Sequence, residues 1–159
     1  MEPRLSADKV APQAYRVLLQ VQEHITNHSG LPHSLLNLIY IRASQMNGCA
    51  YCIDMHSKDA RALSETEQRL YALDGWRETP FFTDRERAAL AWTEALTRVA
   101  ETHVPDAVYE EARKYFTEHE IVNLSVAVTQ INTWNRLMIA FRAVPGIYQP
   151  SVQGLKKSA

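Results

Sequence analysis

Apolar residues recur at Ile121, Leu124, Val128, Ile131, Trp134, Met138 and Phe141, close to the end of a 159-residue chain. Steps of three and four residues over so long a stretch describe a helix with one continuous buried face. Thr117, with Glu120 three residues later, supplies the capping box that would start it, so a helix is expected over 118–142. A face of that length must be covered, and the rest of the sequence offers helices to cover it.

Pro12 suits a first helical turn, and Tyr15, Leu18, Leu19, Gln22 and Ile25 continue the stripe to an end at 27–30, where Gly30 can take a left-handed cap. Pro32 opens a second helix through Leu35, Leu36, Ile39, Tyr40 and Ala43, stopped at Asn47-Gly48. A third is expected from Cys49 to about Leu63. Ser64 with Glu67 and Thr83 with Glu86 are read as two more capping boxes, and a further helix begins near Pro105. Between the boxes, residues 73–82 form a loop carrying Trp76, Phe81 and Phe82, for which packing on the body is the default reading. No stretch alternates as a strand does and no repeat stands out. The expectation is an all-α, single-domain bundle of about six to seven helices.

The length fits one domain, placed at 1–150, with 151–159 as a flexible tail and the whole stretch from 145 reading as poorly structured. A formal net charge of −1 gives no footprint for nucleic acid or an anionic membrane. The apolar runs are too short to span a bilayer, and MEPRLSADKV has no apolar core of a secretory signal. The expected setting is the cytoplasm, where thiols stay reduced.

That setting bears on NGCAYCIDMH, residues 47–56, which holds the chain's two cysteines and a histidine. On a helix opening at Cys49, Cys49, Cys52 and His56 fall at i, i+3 and i+7, on one face. The unpaired N–H groups of a first turn favour a thiolate at Cys49, and His56 lies one turn beyond Cys52, placed to exchange a proton. A second sulfur at this spacing can resolve a sulfenic acid or mixed disulfide formed on the first. Other readings stay open: structural zinc on Cys49, Cys52, His56 and one further ligand, a pair of buried inert thiols, or coincidence. Redox chemistry is favoured over zinc because zinc sites usually draw ligands from two segments and no third cysteine exists. His24 and His28 form a weaker metal pair, better read as helix-end residues. His33, His103 and His119 read as surface or cap-region residues, and Glu110 and Glu111 as a solvated face.

The stretch RASQMNGCAYCIDMHSKDAR resembles the core of the alkylhydroperoxidase AhpD-like proteins of the carboxymuconolactone decarboxylase superfamily. GWRETPFFTDRERAALAWTEALT and the last helix extend the resemblance over roughly residues 30 to 145. It implies a helical fold, homo-oligomers (trimers or hexamers), and an enzyme without a cofactor or metal that reduces hydroperoxides using a dithiol reductant protein. Under this resemblance Cys52 attacks the peroxide, Cys49 resolves the sulfenic acid, and His56 belongs to the proton relay. Two positions depart from the family: its relay glutamate is Asn37 here, and a common histidine is Tyr51. In an antiparallel hairpin about Asn47-Gly48, Ser44 faces Cys52, Tyr40 faces His56 and Asn37 faces the turn beyond. Asn37 can orient an imidazole but cannot exchange a proton, which leaves the transfer to His56 and water, with Tyr40 or another acid. The alternatives are a redox-switched binding protein or sensor with little turnover, a zinc-stabilised oligomer and, ranked lowest, a lactone decarboxylase.

Overall fold

The computed structural model describes residues 2–150, so the expected tail at 151–159 lies outside the described residues. Nine α-helices and one 3₁₀ segment account for the regular structure, with no strand among the described residues. The long helices are α2 (Pro12–His28), α3 (His33–Asn47), α4 (Ala50–Ala62), α6 (Asp84–Thr97), α8 (Asp106–Tyr115) and α9 (Glu118–Phe141). The expected six to seven helices were too few. The difference comes from single turns, α1 (Ala7–Val10) and α7 (Val99–Thr102), which are too short to show a periodicity.

Helix α3 sits at the centre. Leu35, Leu36, Asn37, Leu38, Ile39, Tyr40, Ile41, Ala43 and Ser44 are all buried, so it has no solvent face. A helix buried all round must be packed all round, and α3 touches α4, α6 and α9. Leu35, Leu36 and Ile39 enter the larger core with Val128 and Ile131 of α9. Leu38 and Ile41 enter a smaller one with Leu73, Trp76, Phe82 and Leu90. The aromatic loop thus packs on the body. Leu73–Glu78 forms the 3₁₀ segment, and Trp76 donates its indole N–H to Glu94 at 2.9 Å. Glu94 also takes the guanidinium of Arg42, at 2.7 Å, so this charged pair at the edge of α3 is hydrogen-bonded on both sides.

Two capping boxes stand where the sequence put them, at Thr83/Glu86 and Thr117/Glu120. The third does not. Ser64 lies at φ 71°, where it ends α4 rather than starting α5 (Glu67–Ala72). Glu65 N–H bonds the Ala60 carbonyl and Ser64 N–H that of Arg61, both at 3.0 Å. This is a Schellman closure, which requires a left-handed residue at position 64. With Ser64 so used, Thr66 caps α5 by accepting from the Arg69 amide.

The same closure joins α3 to α4. Gly48 is left-handed at φ 69°, its N–H reaches the Gln45 carbonyl, and Cys49 N–H bonds the Ser44 carbonyl at 2.9 Å. Cys49 in turn is the N-cap of α4, one residue short of the helical turn expected for it. A side chain at position 48 meets nothing within 4 Å, so the cost of adding one is conformational alone. Gly48→Ala is expected to destabilise the protein by about 1–2 kcal/mol, the left-handed penalty for an L-residue. Denaturant unfolding would measure it, and an unchanged midpoint would show that this joint carries no strain.

Candidate functional site

The joint places both sulfurs. Cys49, last in the turn, and Cys52, one turn into α4, have their Sγ atoms 2.8 Å apart as free, fully buried thiols. A disulfide, at 2.03–2.05 Å between sulfurs, needs an approach of only about 0.8 Å. Their burial removes the reading of two cysteines scattered on a surface by coincidence.

Side chains from α9 reach the pair. Asn135, with no exposed surface, donates from Nδ2 to Ser44 Oγ at 2.9 Å and accepts from Asn47 Nδ2 at 2.8 Å. Its amide also lies against both thiols and favours their charged forms. Asn47 donates as well to Asn132, at 2.9 Å. Neither Asn132 nor Asn135 was read from the sequence, although the signal was there: both fall on the apolar stripe of an otherwise greasy helix. A buried amide on such a stripe needs partners, and here it finds them at the joint.

The two thiols share a proton. The hydrogen bond from Cys52 holds the Cys49 thiol below its ordinary pKa, with burial opposing, and the N–H groups of Tyr51 and Cys52 at the open end of α4 add to it. The same bond, then burial, pushes Cys52 up, while Asn135 and Ser44 pull it down. The two sulfurs are thus pushed apart, Cys49 towards the thiolate and Cys52 towards the thiol.

Cys52 nonetheless meets the cavity. A space of about 260 Å³ is lined by Cys52, His56, Tyr51, Met55 and Asp59 of α4, by Tyr15, Leu19 and Gln22 of α2, and by Trp134 and Met138 of α9. Cys49 is not among its walls. The hairpin register holds at two positions: Ser44 acts on Cys52, and the Tyr40 ring packs against His56, tilted by 44° with 4.8 Å between centroids. Gln22 donates to the Tyr40 oxygen at 3.2 Å, and burial pushes that phenol up, so Tyr40 stays protonated at neutral pH. Tyr51 forms part of the wall, half-buried. Asn37 is buried on α3, but among the described residues no hydrogen bond joins it to His56.

His56 is 7% exposed, and its Nδ1 has no hydrogen-bond partner. Burial lowers its pKa from 6.5 to about 4, so at neutral pH the ring is neutral and can accept a proton. Asp59 Oδ2 lies 3.9 Å from Nδ1, beyond hydrogen-bond reach. Among the described residues no group of three His, Cys, Asp or Glu side chains is arranged to hold a metal ion. His24 instead pairs with Asn123, at 3.3 Å, and His33 with the Thr26 carbonyl, at 3.0 Å. Among the described residues no helix is long and apolar enough to cross a membrane.

The sequence pattern of the carboxymuconolactone decarboxylase family matches residues 12–95. YdfG, an uncharacterized protein of Bacillus subtilis (strain 168), is 41% identical over 140 residues, 88% of this chain and 95% of YdfG. The crystal structure of an Agrobacterium tumefaciens protein of unknown function, provisionally assigned to antioxidant defence as AhpD, superposes with a TM-score of 0.88. It is 39% identical and covers 92% of this chain and 100% of its own. An uncharacterized peroxidase-related protein from Silicibacter sp. TM1040 has the same fold at a TM-score of 0.79, with 22% identity, 89% of this chain and 74% of its own.

Because His56 is neutral when folded and has an ordinary pKa when unfolded, its contribution to stability is complete above pH 6.5 and lost as the pH falls towards 4. The loss amounts to up to about 3 kcal/mol. Urea titrations between pH 7 and 4 should show this slope, flattened in His56→Gln. Parallel slopes in the two proteins would place the acid sensitivity elsewhere.

Proposed function

Because the chain belongs to the carboxymuconolactone decarboxylase family, a family of enzymes, we propose that it is a thiol-dependent peroxidase whose reacting groups are Cys52, Cys49 and His56. The observation that carries this reading is the division of labour between the sulfurs: Cys52 opens with His56 onto the cavity, and Cys49 waits behind it at 2.8 Å.

The neutral His56 imidazole takes the Cys52 proton as the sulfur attacks the terminal oxygen of a hydroperoxide. An S–O bond forms, the O–O bond breaks, and the alcohol leaves with that proton. Cys49 then attacks the sulfenic sulfur as a thiolate: the S–S bond forms, the S–O bond breaks, and the departing hydroxide takes a proton from solvent and leaves as water. Two electrons pass from the thiols to the peroxide, and a dithiol reductant returns them by exchange. The low pKa of Cys49 suits this second step, since a resolving thiolate reacts without waiting for a base. Ser44, Tyr40, Tyr51 and Asn135 position the reacting groups.

A protein dithiol as the physiological donor, a homo-oligomer (trimer or hexamer) and a cytoplasmic setting belong to the same proposal, because an enzyme reset by thiols works where thiols stay reduced.

Cumene hydroperoxide consumption with dithiothreitol as the donor tests the reading. The wild type should turn over, and Cys52→Ser should fall by about two orders of magnitude or more. In a single turnover of pre-reduced protein without dithiothreitol, Cys49→Ser should consume about one equivalent and form no intramolecular disulfide, because it lacks the resolving sulfur. Equal rates for wild type and Cys52→Ser would sink the peroxidase.

A further inference from the structure

The relay described above leaves one atom without a partner. When Cys52 gives its proton to His56, the ring becomes an imidazolium and both nitrogens must donate. His56 Nδ1 is enclosed and has no hydrogen-bond acceptor in the resting structure. A buried cation without an acceptor is costly, and that cost would fall on the proton transfer itself. Position 37, where the resemblance expects a glutamate, holds an amide that makes no bond to the ring.

Asp59 is the carboxylate placed to answer this. It follows His56 by three residues on α4, on the same face. Its Oδ2 is 3.9 Å from Nδ1, and its side chain lines the same cavity. Its other oxygen is held: Tyr148 donates its phenol to Asp59 Oδ1 at 2.7 Å. Tyr148 belongs to the stretch from 145 that the sequence reads as poorly structured, yet residues 146–148 are strapped along α4. Gly146 N–H donates to Asp54 at 2.9 Å, and Lys58 donates to the carbonyls of Gly146, at 3.3 Å, and Tyr148, at 3.1 Å. The strap runs down the successive turns of Asp54 and Lys58 and ends on Asp59.

We propose that Asp59, oriented by Tyr148, is the positioning residue that stabilises protonated His56 during peroxide attack, in place of the missing carboxylate at position 37. The inference rests on the peroxidase reading. Closing 3.9 Å to a hydrogen bond needs about 1 Å of movement, and such contacts are commonly long in resting enzymes and tighten during reaction. A hydrogen bond from Tyr148 to Oδ1 leaves Oδ2 free to turn towards the ring. Other titratable groups facing this part of the molecule are Tyr40 of α3, packed against the imidazole, Tyr15 of α2 across the cavity, and Tyr51 and Cys52 of α4. Lys58 points to the strap, and no lysine or arginine lines the cavity to compete for Asp59.

The test uses the reduced 159-residue chain as wild type, Asp59→Asn, Asp59→Glu and Tyr148→Phe, and follows oxidation by cumene hydroperoxide and alkylation by iodoacetamide from pH 3 to 9. Asp59→Asn should slow oxidation about tenfold or more, within the range for general acid–base catalysis. Its acidic limb should move to lower pH, because an imidazole without an anion beside it protonates less readily. Tyr148→Phe should move the same way by less, and Asp59→Glu should recover much of the rate. A wild-type rate and profile in Asp59→Asn overturns the proposal. So does an equal loss in Asn and Glu variants with an unmoved profile and a matching fall in melting temperature, which is the mark of a merely structural residue. If the wild type itself reduces no peroxide, the peroxidase reading fails separately. Asp59 is then judged on the alkylation profile, where a shift in Asp59→Asn sustains its partnership with His56 and an unmoved one overturns it.

Discussion

One hydrogen bond, from Cys49 N–H to the Ser44 carbonyl, holds together everything that follows. It exists because Gly48 turns the backbone left-handed, closing α3 and releasing the chain into α4 within a single residue. Cys49 therefore ends one helix and caps the next. Its sulfur is held 2.8 Å from that of Cys52, and the hairpin register that packs Tyr40 against His56 follows from the same turn. A longer connection would leave both sulfurs on the same helix face but would let the register slip.

The asparagines of α9 then lock the joint from the other side. Asn47, Asn135 and Ser44 satisfy one another where Ser44 and Asn135 have no exposed surface, and an unmatched buried amide costs about 1–3 kcal/mol. Such a network favours one packing of α9 against α3, because a rotation of either helix would leave several amides unpaired at once. It also has a chemical consequence: the same amide that fixes the helices lies against both thiols.

Burial gives the site its protonation pattern. The dithiol shares a proton and pushes Cys49 towards the thiolate, at the end of a helix that favours anions, while the enclosed imidazole stays neutral. A neutral base beside the cavity-side thiol, with the lower-pKa sulfur behind it, is an order suited to attack followed by resolution. The unsatisfied Nδ1 is the strained element of that order, tolerated where the reaction would later fill it.

The sequence alone determined the helices that bear the site and the spacing of its sulfurs and imidazole, because caps and periodicity are local. Pro12, Gly48, Thr83 and Thr117 act within a turn of themselves, and i, i+3 and i+7 need only one helix. Ser64 shows the edge of that legibility: its type fits a cap, but whether it starts α5 or ends α4 depends on which neighbouring helix needs a left-handed residue. Asn135 and Tyr148 lie beyond that edge. Each meets the site from about 80 residues or more away in sequence, as do Asn132 and Asn47 across the bond that joins them. A polar side chain on an apolar stripe announces that it has a partner without saying which. The tertiary structure decided that, by bringing α9 against the helix joint and the last described residues along α4, where long-range packing, not local propensity, chooses the contacts.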